Sequence, residues 1–277
     1  MASSHSRYIW REEIFRKPLF FRGLARQLPY NCHVLILALD TSSSAGSVAI
    51  LRDEEVLGVG SLRAEEPHSS SLFLGLDSLL RELCLSLKSF DLFAVIAGPG
   101  SFTGLRVGLT AVKGLAEVYN KPIAAVSALE AIAAQSKSSA PVLAPVLDAR
   151  RSQFYFAFYR RAEKTAASDG LELESEEFLA TQGEFLAALQ SRAKGSDVTI
   201  VTPNPAMISS ADSPSDKPST LLHRISIEPV SPVLAPFVGQ LGHRQARRGQ
   251  LTDALALGAN YIRRCDAELH WKESSGS

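Results

Sequence analysis

The chain has 277 residues, 45% of them hydrophobic and 21% charged, which suits a globular protein of two domains or one large one. Lys+Arg 29 balance Asp+Glu 29, so no global positive field recruits nucleic acid, and any RNA contact must be local or supplied by a partner. Cys32, Cys84 and Cys265 are too few and too scattered for a disulfide framework or a zinc pattern, and no apolar run is long enough to span a membrane, so a cytoplasmic protein is expected.

Residues 1–33 mix Arg7, Arg11, Arg16, Lys17, Arg22 and Arg26 with Tyr8, Trp10, Phe15, Phe20 and Phe21. A secretory signal needs a cleaner apolar centre, and Glu12 and Glu13 weaken a transit-peptide reading. The expectation is an extension outside the fold; the alternative is a basic arm that binds something. Val34 to Leu39 is then an apolar strand of the kind covered on both faces. Asp40 to Gly46 reads as a turn rich in residues that bond their own backbone, and Ser47 to Leu51 with Val56 to Leu62 as a hairpin. Pro67-His68 opens a predicted helix over 68–87 with an apolar stripe at Leu72, Leu76, Leu79, Leu80, Leu83 and Leu87. Phe73 and Leu74 widen that stripe beyond one core, which indicates burial either against a second chain or deep inside this one.

Leu92 to Ala97 is a second apolar strand, broken by Gly98-Pro99-Gly100. Ser101 or Thr103 can cap the helix that follows, which carries Leu105, Val107, Leu109, Val112, Leu115 and Ala116. Gly104 and Gly108 lie one turn apart and leave a strip without side chains where another backbone can approach. A glycine-rich strand-to-helix turn is also a place where amides converge on an anion, so the loop reads either as a phosphate or carboxylate cradle or as a turn whose glycines serve packing. It is neither a P-loop, lacking Gly-Lys-Ser/Thr, nor a dinucleotide fingerprint, since Thr103 stands where the third glycine belongs. A strand from Ile123 to Val126 and a helix from Ala128 to Gln135 follow, then a linker over 137–141.

Past the linker the opening repeats: Val34-Leu35 and Leu39-Asp40 recur as Val142-Leu143 and Leu147-Asp148, each 108 residues on. Two halves that each begin with a strand ending in Asp, a polar turn and a second strand imply duplication of an α/β unit. The expected division is a first lobe over 34–136, a second over 137–272 and a tail over 273–277. The second lobe shows an aromatic strand from Gln153 to Tyr159, a helix near 182–190, a strand from Val198 to Val201, an exposed loop over 209–219 and a helix near 233–248.

Leu37-Ala-Leu-Asp-Thr41, the loop from Gly98 to Gly108, Leu147-Asp-Ala-Arg150 and the closing Tyr261-Ile-Arg-Arg264 resemble the TsaB (YeaZ) family. That family supplies the bacterial partner subunit for making threonylcarbamoyladenosine (t6A) in tRNA. The resemblance implies an α/β fold of the two-lobed, duplicated actin/sugar-kinase/Hsp70-like (ASKHA) type, in agreement with the repeat. It also implies a subunit that binds a catalytic TsaD-type paralogue, works with a TsaE-type ATPase, reaches tRNA through the complex and can form a homodimer when alone. TsaD-type relatives carry a His-x-x-x-His pair whose i, i+4 spacing lets one helix face grip a metal. Here Lys121 to Val126 matches the lead-in, and the two histidine positions fall on Ala128 and Ile132, which cannot ligate. The resemblance therefore implies no catalytic residue, no metal and no cofactor of the chain's own, with ATP or ADP bound only at the level of the complex.

The expected partner-facing residues are His68, Leu72, Phe73, Leu74, Leu76, Gly104, Arg106 and Gly108. The candidates for an anion or nucleotide are Asp40, Thr41, Gly98, Gly100 and Ser101. The competing reading is a small-molecule kinase of the same fold, with Asp40 and Asp148 holding a metal-bound nucleotide. Against it, Asp40-Thr-Ser-Ser lacks the glycine of a kinase phosphate loop. A peptidase would need a nucleophile with a base, and no Ser/His/Asp arrangement is recognisable.

Overall fold

Asp40 and Asp148 end the first strand of each half and do the same thing there. Asp40 Oδ1 accepts from the Ser42 amide at 2.8 Å, and Asp148 Oδ1 accepts from the Arg150 amide at 2.7 Å. Each closes a turn two residues on by presenting the backbone with a side-chain acceptor. These geometries come from a computed structural model of the chain, which describes residues 33–62, 67–161, 170–209 and 224–262. The expected extension, save His33, the loop over 210–219 and everything after Ile262, including Arg263, Arg264 and the tail, lie outside the described residues.

The first sheet takes β1 (Leu35–Asp40), β2 (Ser47–Arg52), β3 (Glu55–Ser61), β4 (Leu92–Gly98) and β5 (Ile123–Ser127) in the order β3-β2-β1-β4-β5. The hairpin partners β1, β2 and β3 are antiparallel, while β1, β4 and β5 run parallel. The main path of the second sheet repeats this pattern. It takes β6 (Val142–Asp148), β7 (Gln153–Phe156), β10 (Phe178–Thr181), β11 (Val198–Thr202) and β12 (Ile225–Pro229) in the order β10-β7-β6-β11-β12. Here too the first three are antiparallel and β6, β11 and β12 parallel. Two short strands, β8 (Tyr159–Arg161) and β9 (Leu171–Leu173), add to β6. The expected single strand from Gln153 to Tyr159 is thus two, β7 and β8, parting after Phe156.

Parallel central strands must be covered on both faces, which is why β1 and β4 are apolar at nearly every position. α2 (Phe102–Tyr119) covers one face of the first sheet, with Gly108 against Val95. The neighbouring Ala94 points to the other face, where Gly242 of α6 (Ala235–Arg247) meets it. The chain-order division into lobes is therefore corrected at this helix: α6 belongs by sequence to the second half but packs on β1, β2, β4 and β5 of the first. Its amphipathic pattern and small Gly239 and Gly242 match the apolar face that the first sheet leaves open. α3 (Ala128–Ala133) lies against both sheets, α4 (Gln182–Ala193) covers a face of the second, and the single turn α5 (Ala206–Ser209) follows β11. The core follows this arrangement. One cluster joins the first lobe to Leu143, Tyr155, Ala157, Tyr159 and Val201, and a separate one lies under α4 around Phe154, Phe156, Phe158 and Phe185.

The helix predicted over 68–87 is shorter than its stripe: α1 spans His68–Glu82, and Leu87–Ser89 is a separate 3-10 turn. The end is a Schellman cap, with the Leu85 amide donating to Leu80 O at 2.9 Å and the Cys84 amide to Arg81 O at 3.2 Å. Cys84 takes the left-handed position at φ 52°, where glycine is the usual residue. Without a glycine the stop is not legible, and the leucine stripe runs on past it. Cys84→Gly is expected to stabilise the protein by about 0.5–1 kcal/mol, since it relieves the left-handed Cβ clash at a partial entropic cost. Urea denaturation measures it; a loss of stability would mean that the cap is misplaced.

Candidate functional site

Gly98 to Gly108 forms a turn that another part of the same chain fills. β4 runs into Gly98, whose φ of 138° favours glycine, and Ser101 caps α2 by accepting from the Gly104 amide at 3.3 Å. The β1–β2 turn lies in the groove beside that helix. Thr41 Oγ1 donates to Gly104 O at 2.7 Å, and the Ser101 amide donates to Ser42 O at 2.7 Å. A Cβ at Gly104 would stand 2.0 Å from Thr41 O, and one at Gly108 2.4 Å from Thr41 Oγ1. A Cβ at Gly100 would stand 2.7 Å from Ser42 O.

Two expectations are corrected by this packing. Gly104 and Gly108 are buried under Thr41 and offer no groove to a partner. Leu72 and Leu76 likewise point into the chain's own core, at 0% and 3% exposure. The remaining partner candidates lie at or near the surface. Phe73 and Leu74 of α1 are 52% and 62% exposed, and Arg106 is exposed on α2. The Arg106 guanidinium sits 3.8 Å over the Phe102 ring and its Nε donates to Tyr261 Oη at 3.3 Å. The packing explains the split, because residues one position apart on a helix face different ways. His68 ties the start of α1 to the β1–β2 turn, with Nε2 2.8 Å from Ser43 O. Sequence reasoning passed over Val118 of α2, an apolar side chain 74% exposed; its signal was an apolar residue beside Glu117, off the buried stripe.

The five anion or nucleotide candidates do come together, at the junction of β1, β4 and α2. Asp40 is fully buried, its Oδ1 taken by the Ser42 amide and hydroxyl, and its Oδ2 has no hydrogen-bond partner among the described residues. Burial pushes its carboxyl up, against the opposing pull of the Ser42 bonds and of nearby His68. Thr41 presents its carbonyl to Gly104, the Ser101 amide is engaged by Ser42, and Asn260 O would lie 2.4 Å from a Cβ on Gly98. The loop therefore holds strand, helix and C-terminal segment together, with the chain's own backbone lying where a phosphate cradle would have to be open.

Ala128 and Ile132, at the histidine positions of the resembling motif, are both 0% exposed in α3 between the two sheets. Among the described residues no group of three or more His, Cys, Asp or Glu side chains is placed to hold a metal ion, and no helix is long and apolar enough to cross a membrane.

A duplicated sheet with matched strand order, strand-end aspartates in matched turns and helices on both faces defines a two-lobed protein of the actin/sugar-kinase/Hsp70-like class. Solved structures share the fold: a Pseudomonas aeruginosa protein described as similar to peptidase YeaZ has a TM-score of 0.64 at 24% identity, over 83% of this chain and 100% of that one. YeaZ from Pseudomonas aeruginosa gives a TM-score of 0.60 at 25% identity, over 82% of this chain and 99% of that one. The sequence model of the TsaD family, tRNA N6-adenosine threonylcarbamoyltransferase, matches residues 50–207. The tRNA threonylcarbamoyladenosine biosynthesis protein TsaB of Bacillus subtilis is 30% identical over 248 residues, 86% of this chain and 98% of that protein. TsaB of Escherichia coli is 35% identical over 130 residues, 46% of this chain and 56% of that protein. The chain belongs to the TsaB (YeaZ) family, within the wider group that the TsaD sequence model describes.

Proposed function

We propose that the chain is the partner subunit of a t6A-synthesising complex, binding a catalytic TsaD-type paralogue and supporting threonylcarbamoyl transfer to adenosine in tRNA. The observation that carries this reading is the 30% identity to a TsaB protein along 98% of that protein's length. Two local features support it. Ala128 and Ile132 leave the metal-gripping face of the catalytic relatives without a ligand, so transfer chemistry belongs to the paralogue. Phe73 and Leu74 leave apolar surface on α1 that a second chain would cover. A TsaE-type ATPase supplies ATP turnover in this scheme, tRNA is reached through the assembled complex, and the whole operates in the cytoplasm. Without its partner, the same α1 surface would pair two copies.

The test is reconstitution of t6A formation from the TsaD-type and TsaE-type proteins of the same cell, with ATP, threonylcarbamoyl donor and tRNA. Omitting the chain should abolish or strongly reduce product, and the isolated chain should turn over no ATP. Full product without it, or ATP turnover by the chain with a small-molecule acceptor, would transfer the reading to the kinase alternative. The burial of Asp40 behind Thr41 and Ser42 speaks against that alternative.

A further inference from the structure

One edge of the second sheet is open. Among the described residues β10 pairs only with β7, in the antiparallel register Phe178↔Phe156 to Thr181↔Gln153. The Thr181 amide donates to Glu184 Oε2 at 2.8 Å, so it turns away from β7. Antiparallel pairs alternate between bonded and non-bonded, so the N–H and C=O of Leu179, two residues earlier, face the open edge as well. Beside that edge lies a cleft of about 460 Å³ between the sheet and α4. Phe156, Phe158 and Phe178 line it, and Phe178 is 40% exposed although its ring centroid lies 5.4 Å from that of Phe156. The small Ala188 and Ser191 of α4 leave the room, and the Arg192 guanidinium sits 4.9 Å over the Phe158 ring while donating to Glu174 at 2.8 Å. An open strand edge accepts a further strand, and an aromatic pocket beside it accepts a large apolar side chain of that strand.

The chain's own sequence holds a segment of that kind. Ala267-Glu-Leu-His-Trp-Lys272 alternates apolar and polar at every step, the period of a strand with one apolar face. It begins seven residues after Asn260, whose Nδ2 donates to Glu177 Oε2 at 2.7 Å, and Glu177 immediately precedes Phe178. Seven extended residues span up to about 25 Å, enough to reach the edge of β10 from that point. We infer that residues 267–272 add to β10 as a further strand of the second sheet, with Trp271 seated in the phenylalanine cleft. The N–H and C=O of Leu179 are the backbone partners of the added strand. Ala267, Leu269 and Trp271 then turn to the α4 face, where Phe178 and Ala180 also point, and Glu268, His270 and Lys272 turn to the opposite one. The indole covers the exposed part of Phe178, and Ser175 and Ser191 at the lining offer hydroxyl oxygens to its N–H. The site belongs to the second lobe and the partner surface on α1 to the first, so the inference does not depend on the subunit reading.

In the full chain, Trp10→Phe leaves Trp271 as the one tryptophan. Its emission should lie to the blue of that of a peptide of residues 263–277, and acrylamide should quench it several-fold less. Hydrogen exchange at the Leu179 amide, followed by NMR, reads the added strand independently. Leu269→Ser combined with Trp271→Ser should speed that exchange by about tenfold or more, with the Leu37 amide of β1 unchanged as the control for global opening. Phe178→Ser should return Trp271 to the emission of the peptide. Should Phe178→Ser lose protection at Leu37 and so fail to fold, the Leu269/Trp271 variant still decides, because it alters no residue of the described fold. Peptide-like emission in the parent chain, or exchange at Leu179 that the Leu269/Trp271 variant leaves unchanged, would overturn the proposal. Protection that disappears on dilution would overturn it too, by assigning the edge to the same segment of a second copy.

Discussion

Alanine at position 104 is expected to destabilise the first lobe by about 3 kcal/mol or more, although an interior helix position ordinarily gains from a glycine-to-alanine change. The new methyl would stand 2.0 Å from Thr41 O, a backbone atom in a turn held by Asp40, Ser42 and Ser101, so no flexible side chain can swing aside. Either α2 lifts from the sheet or the β1–β2 turn is displaced, and displacing the turn breaks the bond from Thr41 Oγ1 to Gly104 O. Gly108→Leu should fail too, because its Cβ alone would stand 2.4 Å from Thr41 Oγ1, which is held by its bond to Gly104 O, and its effect on partner binding would then be a consequence of unfolding. The same helix supplies the opposite case. Gly114 is exposed, and a Cβ there meets nothing within 4 Å, so Gly114→Ala should stabilise by about 1 kcal/mol through helix propensity alone. Urea denaturation of both variants beside the parent chain is decisive. A parent-like midpoint for Gly104→Ala would mean that Thr41 does not pack where it is described.

The second large effect is on association. Leu74→Glu should leave the melting temperature of the free chain within a few degrees of the parent, because the side chain is 62% exposed and an exposed helix position tolerates charge. In a complex that covers α1 the carboxylate would be desolvated with no arranged counter-ion, a penalty of several kcal/mol. Partner affinity should fall about a hundredfold or more. Phe73→Glu should act in the same direction from the neighbouring position, where exposure is 52%. Calorimetric titration with the TsaD-type protein, and sedimentation of the free chain, separate the outcomes. Lost affinity for the paralogue with a monomeric free chain supports the subunit reading. Loss of self-association alone would assign the face to a homodimer. Unchanged affinity in both variants would place the interface elsewhere, with the exposed faces of α2 around Arg106 and Val118 the next to test.

The local architecture was legible because it depends on short-range patterns. Val34 to Leu39 and Leu92 to Ala97 are continuous apolar runs, a pattern strands buried on both faces require. Aspartates 108 residues apart gave away the duplication because each closes the same side-chain-to-backbone turn at the end of the same strand. The family, too, was readable from the glycine loop, and Ala128 and Ile132 were recognisable as non-ligands from residue type alone.

Other features depend on what the chain brings together across long separations, and periodicity carries no information about that. Gly104 and Gly108 read equally well as a groove for a partner and as a seat for this chain's own turn; only the return of Thr41, 63 residues earlier, decides it. Leu72 and Leu74 look alike in a leucine-rich helix, and the sheet beneath α1 buries one and leaves the other to solvent. α6 crosses back to the first lobe because its small residues fit the face of Ala94 and Ala124, a complementarity between segments more than 100 residues apart in the sequence. Glu177 is an unremarkable acid in the pair Glu176-Glu177 until folding sets it among Ser127, Glu130, Tyr159 and Asn260, and desolvation raises its carboxyl to about 7. Composition and spacing determine which elements form; burial and long-range contact determine which of their side chains are left to act.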